Sequence, residues 1–217
     1  TGDGKLVLPG KWCALGTSIT AWDATRVNGI KGYQHWVRQR ITFAGGYVNK
    51  GVNGHQMPNL ATNLGHIPVA DYYTIEYGTN DLMSGIYAGT FADYAGNTGT
   101  ASFAGSLRVV IDHIYQLNPA ARIILCTPRK FYYPPYGLMS WDALFGGNRL
   151  TDYVKVIRDI AEYESLPVAD FFALSCANSR NLASLSNEEA LHPNTAGHQM
   201  MANVLYGQFR LFHNYNS

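Results

Sequence analysis

Charge is scarce in this sequence. Asp, Glu, Lys and Arg make up 14% of its 217 residues, and 16 basic against 15 acidic residues leave a formal net charge of +1. The basic residues gather no further than the short WVRQR and RK steps, so the electrostatic footprint of a nucleic-acid-binding protein is missing. No apolar run approaches the length of a membrane span, and the opening TGDGKLVLPG lacks the charged and apolar regions of a signal peptide, so no membrane insertion is expected. Cysteine is nearly absent. Cys13, Cys126 and Cys176 are an odd number without a CxxC spacing, which argues against a disulfide framework and a zinc site alike. His35, His66, His113, His198 and His213 share no ligand spacing either, and neither a metal nor another cofactor is expected.

What the chain does have is apolar residues, 47% of the total, together with 22 glycines and many Tyr, Asn and Thr. That composition builds a core and is not one of disorder. The length suits one α/β domain over residues 1–217, and the loop-like start TGDGK suits a fragment of something longer. Five strand-length apolar runs stand out: WCALG (12–16), the weaker YVNKGV (47–52), YYTIEY (72–77), RIILCTP (122–128) and PVADFF (167–172). Between and after them lie helical patterns near 31–43, 57–65, 101–117, 148–165 and 195–212. The clearest are SLRVVIDHIYQLN, with Leu107, Val110, Ile111 and Ile114 on one face, and LTDYVKVIRDIAEY, with Leu150, Tyr153, Val154, Ile157 and Ile160. Strands alternating with helices predict a parallel sheet covered on both faces. Cys13 and Cys126 fall inside strand runs and read as small buried hydrophobes.

Two stretches break the rhythm after strand candidates. One is the Gly-, Ala- and Thr-rich segment 82–105; the other, RKFYYPPYGLMSWDALFGGNR (129–149), crowds aromatics around two prolines. Loops after the carboxyl ends of parallel strands build the binding crevice, so Tyr132, Tyr133, Tyr136 and Trp141 are candidate substrate-binding residues, with sealing of the loop as the alternative.

Four short pieces carry chemistry together. Gly16-Thr17-Ser18 follows the first strand, VNKGVNG (48–54) the second and Gly78-Thr79-Asn80-Asp81 the third, while EALHPNTAGH (189–198) opens the last helix. Ester hydrolysis needs a hydroxyl nucleophile, a base beside it, an acid that orients the base, and donors for the oxyanion. Ser18, His192 and Glu189 fit the first three roles. The N–H groups of Ser18 and Gly54 and the side-chain amide of Asn80 fit the fourth, since strands ending at one rim can bring them together. A lone serine here would more often be a helix cap, and Asp81 reads as scaffold.

In that order and spacing, the four pieces resemble blocks I, II, III and V of the SGNH hydrolases, also called GDSL esterases and lipases. The likeness runs from Trp12 to the last helix. It implies a flavodoxin-like three-layer α/β/α fold with a five-stranded parallel sheet in the order 2-1-3-4-5, and it places the block Ser, Gly, Asn and His on Ser18, Gly54, Asn80 and His192. Two positions depart from the pattern. Thr17 stands for the usual Asp of GDS; that position carries no proton in the mechanism, so the swap is expected to be tolerated, with the pinning of the nucleophile turn as the feature open to change. Glu189 stands for the usual Asp before the His, with Glu188 as its neighbouring rival. The activity implied is cofactor-free hydrolysis of carboxylic esters, with O-acetyl groups on carbohydrate as the expected substrate. A lipid-directed esterase or thioesterase on the same fold, and a catalytically silent carbohydrate-binding domain of an adhesin or virion fibre, are the alternatives.

Overall fold

The computed structural model describes residues 4–25, 29–133, 138–187 and 190–214. In chain order its strands are β1 (Leu6–Leu8), β2 (Lys11–Gly16), β3 (Ile41–Phe43), β4 (Gly46–Gly51), β5 (Tyr72–Glu76), β6 (Arg122–Cys126), β7 (Tyr132–Tyr133), β8 (Leu138–Met139) and β9 (Val168–Ala169). Its α-helices are α1 (Ser18–Thr25), α2 (Tyr33–Arg38), α3 (Met57–Thr62), α4 (Thr79–Met83), α5 (Phe91–Ala95), α6 (Phe103–Leu117), α7 (Leu150–Glu164), α8 (Phe171–Leu174) and α9 (Thr195–Asn214).

The main sheet has five parallel strands in the spatial order β4-β2-β5-β6-β9, which is the order 2-1-3-4-5 expected of the five strand candidates. Its central strands are apolar on both faces because each face meets a helical layer. Strand alternation sorts them cleanly. Cys13, Leu15, Tyr73, Ile75, Ile123 and Leu125 pack with α3, α6 and α7, whereas Trp12, Ala14, Tyr72, Ile124 and Cys126 pack with α2 and α9. The long helices end where the sequence signals a stop. Helix α6 starts at Ser102, whose hydroxyl accepts the Gly105 N–H at 3.0 Å, and ends before Pro119; α7 closes on Ser165 in a left-handed conformation, ahead of Pro167.

Three sequence expectations need correction. The helical pattern at 31–43 holds a helix only over Tyr33–Arg38, and Ile41–Phe43 instead pairs in parallel with β1 as an outer two-stranded ribbon. There Ile41 and Phe43 face the core and Thr42 faces solvent, a period of two that a helical reading cannot accommodate. The run PVADFF is strand only at Val168–Ala169, because Asp170 accepts the Ala173 N–H and starts the short α8. The segment 82–105 is not one open loop: it contains α5 and a 3-10 turn at Gly99–Ala101. Among the described residues, no helix is long and apolar enough to cross a membrane.

Candidate active site

Strand β2 runs out at Gly16, and α1 begins two residues later at Ser18. The turn is tight enough to exclude a side chain at position 16, since a Cβ there would lie 2.1 Å from the Thr20 hydroxyl. Thr17 takes the capping work. Its carbonyl accepts the N–H groups of Thr20 (3.1 Å) and Ala21 (2.9 Å), and its hydroxyl faces the Ile19 N–H at 3.4 Å. Ser18 is thereby left free of the cap. Its Oγ lies 2.8 Å from Nε2 of His192, although 174 positions separate the two in sequence. At that distance the imidazole can take the hydroxyl proton.

His192 is held from several sides. The Trp22 ring stacks on the imidazole at 4.1 Å between centroids and 18° between planes. The His192 carbonyl accepts the Asn187 N–H at 2.9 Å, and the following Pro193 forms a β-bridge with Ser186. Asn194 then ties the strap to α9: its amide donates to the carbonyls of Ser184 and Ser186, and its Oδ1 accepts the Gly197 N–H at the first turn of the helix. Behind the strap sits Arg129, 2% exposed, donating to the Ser186 hydroxyl at 2.5 Å and the Leu185 carbonyl at 3.4 Å. Burial pulls this guanidinium down to about 10, which leaves it charged at neutral pH. His198, fully buried, is a different kind of histidine. Burial lowers it to about 3, and its Nδ1 accepts the Tyr33 N–H at 3.1 Å, so it is a neutral core residue of the last helix. Glu189 and its rival Glu188 lie outside the described residues.

Sheet register accounts for the convergence of the other pieces. Gly16 pairs with Gly51 on one side and Glu76 on the other, so β4, β2 and β5 end in one row. Ser18, Gly54 and Asn80 follow that row by two, three and four residues. Gly54 has φ +74, and a Cβ there would meet no protein atom within 4 Å, so glycine is called for by the left-handed backbone and not by a crowded neighbour. Asn80, 8% exposed, donates through Nδ2 to the His55 carbonyl at 2.9 Å, which ties it to the Gly54 turn. An amide carries two N–H donors, so a second remains for a ligand. Asp81 is scaffold, as expected: fully buried, it accepts the Met57 N–H (2.8 Å) and the Gly78 N–H (3.0 Å), and burial pushes its carboxyl up to about 7.

The profile of the GDSL-like lipase/acylhydrolase family matches residues 14–200, a span that contains every one of these pieces. The chain belongs to this family. Among solved structures, a possible lipase from Chitinophaga pinensis shares 26% identity at a TM-score of 0.75, covering 94% of this chain and 98% of that one. An acetylxylan esterase from Geobacillus stearothermophilus (21% identity, TM-score 0.61, 91% and 93% covered) and a lipase/acylhydrolase from Enterococcus faecalis (17%, 0.61, 94% and 96%) share the fold. No curated protein matches the chain.

Within this GDSL-like frame the aromatic loop 129–149 is partly a seal. Phe131 and Phe145 are buried in the main core, and Trp141 and Tyr132, half-buried, pack against Ala177, Leu182 and Leu185, with the Lys130 ammonium 5.5 Å from the Trp141 ring. Tyr132 also donates its N–H to the Ala190 carbonyl at 3.2 Å, which brings the loop against the strap of His192. Tyr136 and the side chain of Tyr133 lie outside the described residues. Three residues of this GDSL-like site escaped the sequence reading. Trp22 was detectable in principle, being four residues after Ser18 and hence on the same helix face. Arg129 and Glu76 carried no local signal, because only the sheet brings Arg129 to the strap and Glu76 to the Thr17–Thr20 turn.

Proposed function

We propose that the chain is a serine esterase in which Ser18 is the nucleophile, His192 the general base and Glu189 the acid that orients it. One observation carries the proposal: the hydrogen bond of 2.8 Å between Ser18 Oγ and His192 Nε2, formed by a serine relieved of helix capping. His192 takes the Ser18 proton as Oγ attacks the ester carbonyl. The oxyanion is received by the N–H groups of Ser18 and Gly54 and the amide of Asn80; as the tetrahedral species collapses, His192 protonates the leaving alcohol. Water, deprotonated by the same imidazole, then releases the acid from the acyl-enzyme and restores Ser18. No step calls for a cofactor.

The proposed substrate is an O-acetyl group on carbohydrate. Low charge and a loop crowded with Tyr and Trp suit a sugar surface, and two solved structures of this fold are acetylxylan esterases. A lipid-directed esterase is the second reading, favoured by the possible lipase from Chitinophaga pinensis. Acetate release from acetylated polysaccharides, set against p-nitrophenyl esters of increasing acyl length, separates the two. Acetyl esters should be hydrolysed fastest; a preference for long acyl chains would point to lipid. Ser18→Ala should abolish hydrolysis of either kind.

A further inference from the structure

Glu76, the last residue of β5, is 1% exposed beneath the nucleophile turn. One carboxylate oxygen, Oε2, collects three hydrogen bonds from that turn: the Thr17 N–H at 3.2 Å, the Thr17 hydroxyl at 2.8 Å and the Thr20 hydroxyl at 3.1 Å. Since Thr20 donates to the carboxylate, the Tyr33 hydroxyl, 2.9 Å away, donates to Thr20. The residues flanking Ser18 are therefore pinned by one side chain from the adjacent strand. The other oxygen, Oε1, is buried with no partner among the described residues. Fold stability alone gives no reason for an acid here, because a buried charge with a half-satisfied carboxylate costs free energy that an apolar side chain would not.

We propose that Glu76 is a positioning residue of the esterase, whose ionised carboxylate fixes the Thr17–Thr20 turn so that Ser18 stays aligned with His192, and whose protonation loosens that alignment. The inference rests on the reading of Ser18 and His192 as the reacting pair. Bonds to an ionised acceptor are roughly twice as strong as those to a neutral one, so protonation weakens all three contacts together while the fold stays in place. Burial pushes the Glu76 carboxyl up to about 7, against the opposing pull of its bonds to Thr17 and Thr20. The titratable groups around it are Asp81 from α4, Tyr33 from α2, the adjoining Tyr77, and Cys126 from β6. Burial raises Tyr33, Tyr77 and Cys126 and keeps them protonated at neutral pH, so Asp81, also pushed up to about 7, is the neighbour that titrates in the same range. The active turn thus depends on a carboxylate that changes charge near neutrality.

The test is the pH dependence of kcat/KM for p-nitrophenyl acetate and of fluorophosphonate labelling, in wild type, Glu76→Gln, Thr17→Val and Thr17→Ser. Wild type should lose activity on the acid side with a slope that exceeds one over the range in which Glu76 takes up its proton together with His192, because the first proton slows the reaction and the second stops it. Glu76→Gln should lower the plateau roughly ten- to a hundredfold with KM nearly unchanged, and its acid limb should fall to the slope of a single group. Thr17→Val should lower the plateau, and Thr17→Ser, which keeps the hydroxyl, should restore it; this pair decides the matter if Glu76→Gln does not fold. A folded Glu76→Gln, or Thr17→Val, with the wild-type plateau and slope overturns the inference alone. A wild-type chain that the fluorophosphonate never labels overturns the esterase reading beneath it.

Discussion

Whether Ser18 caps a helix or attacks an ester turns on its neighbour. Thr17 supplies the carbonyl and hydroxyl that the first turn of α1 needs, and Ser18 is released to face His192. The departure from GDS at position 17 is therefore accommodated: the threonine that replaces the usual aspartate leans on a carboxylate from another strand. Asn80→Ala removes one proposed oxyanion donor and should lower kcat roughly a hundred- to a thousandfold, with little change in KM, in steady-state kinetics. The buried acids also leave a mark on stability. Burial raises Glu76 from an ordinary 4.5 and Asp81 from 3.8 to about 7, so the folded chain keeps protons that the unfolded chain has released, and stability falls as pH rises up to and through 7. His198, lowered by burial from 6.5 to about 3, acts the other way, favouring the folded state as pH rises from about 3 to 6.5. Between about 6.5 and 8 the carboxyls set the direction, with the buried thiols and phenols, also raised by burial, adding to it only at higher pH. The urea midpoint should decline between pH 6.5 and about 8, and Glu76→Gln should shrink that decline; a midpoint rising with pH in wild type would contradict the burial of these charges.

At the scale of elements, two glycines near one rim do different jobs. Gly51 ends β4 where α1 crosses it, and a Cβ there would lie 2.3 Å from the Ala21 backbone nitrogen. Gly54 has open space and a left-handed backbone. Gly51→Ala should therefore cost more stability, about 1–3 kcal/mol or above from overpacking, than Gly54→Ala, about 1 kcal/mol from conformation, in denaturant melts. These distinctions were not legible beforehand, because a sequence shows that glycine is present and not what approaches it. The long amphipathic helices α6 and α7 and the apolar strands β2, β5 and β6 were legible, since their burial follows period alone. The ribbon of Ile41–Phe43 was not, because three residues carry too little pattern to separate a strand from the end of a helix.

Across the whole molecule, the candidate site sits at the carboxyl edge of a parallel sheet whose strand order is the one implied by the resemblance of four short motifs to the family. Ser18, Gly54, Asn80 and His192 could be named in advance as candidates because the motifs sit at strand ends and at the start of the last helix. Arg129 and Glu76 could not, because each reaches the site through packing between elements distant in sequence, whereas Trp22 lies one helical turn from Ser18 and was within reach of the sequence. The most direct measurement of the central claim is fluorophosphonate labelling of the folded chain, with the adduct located by peptide mass spectrometry. A single adduct on Ser18 is expected, absent in Ser18→Ala and strongly slowed in His192→Ala. No adduct on Ser18, or ester hydrolysis undiminished in Ser18→Ala, would contradict it.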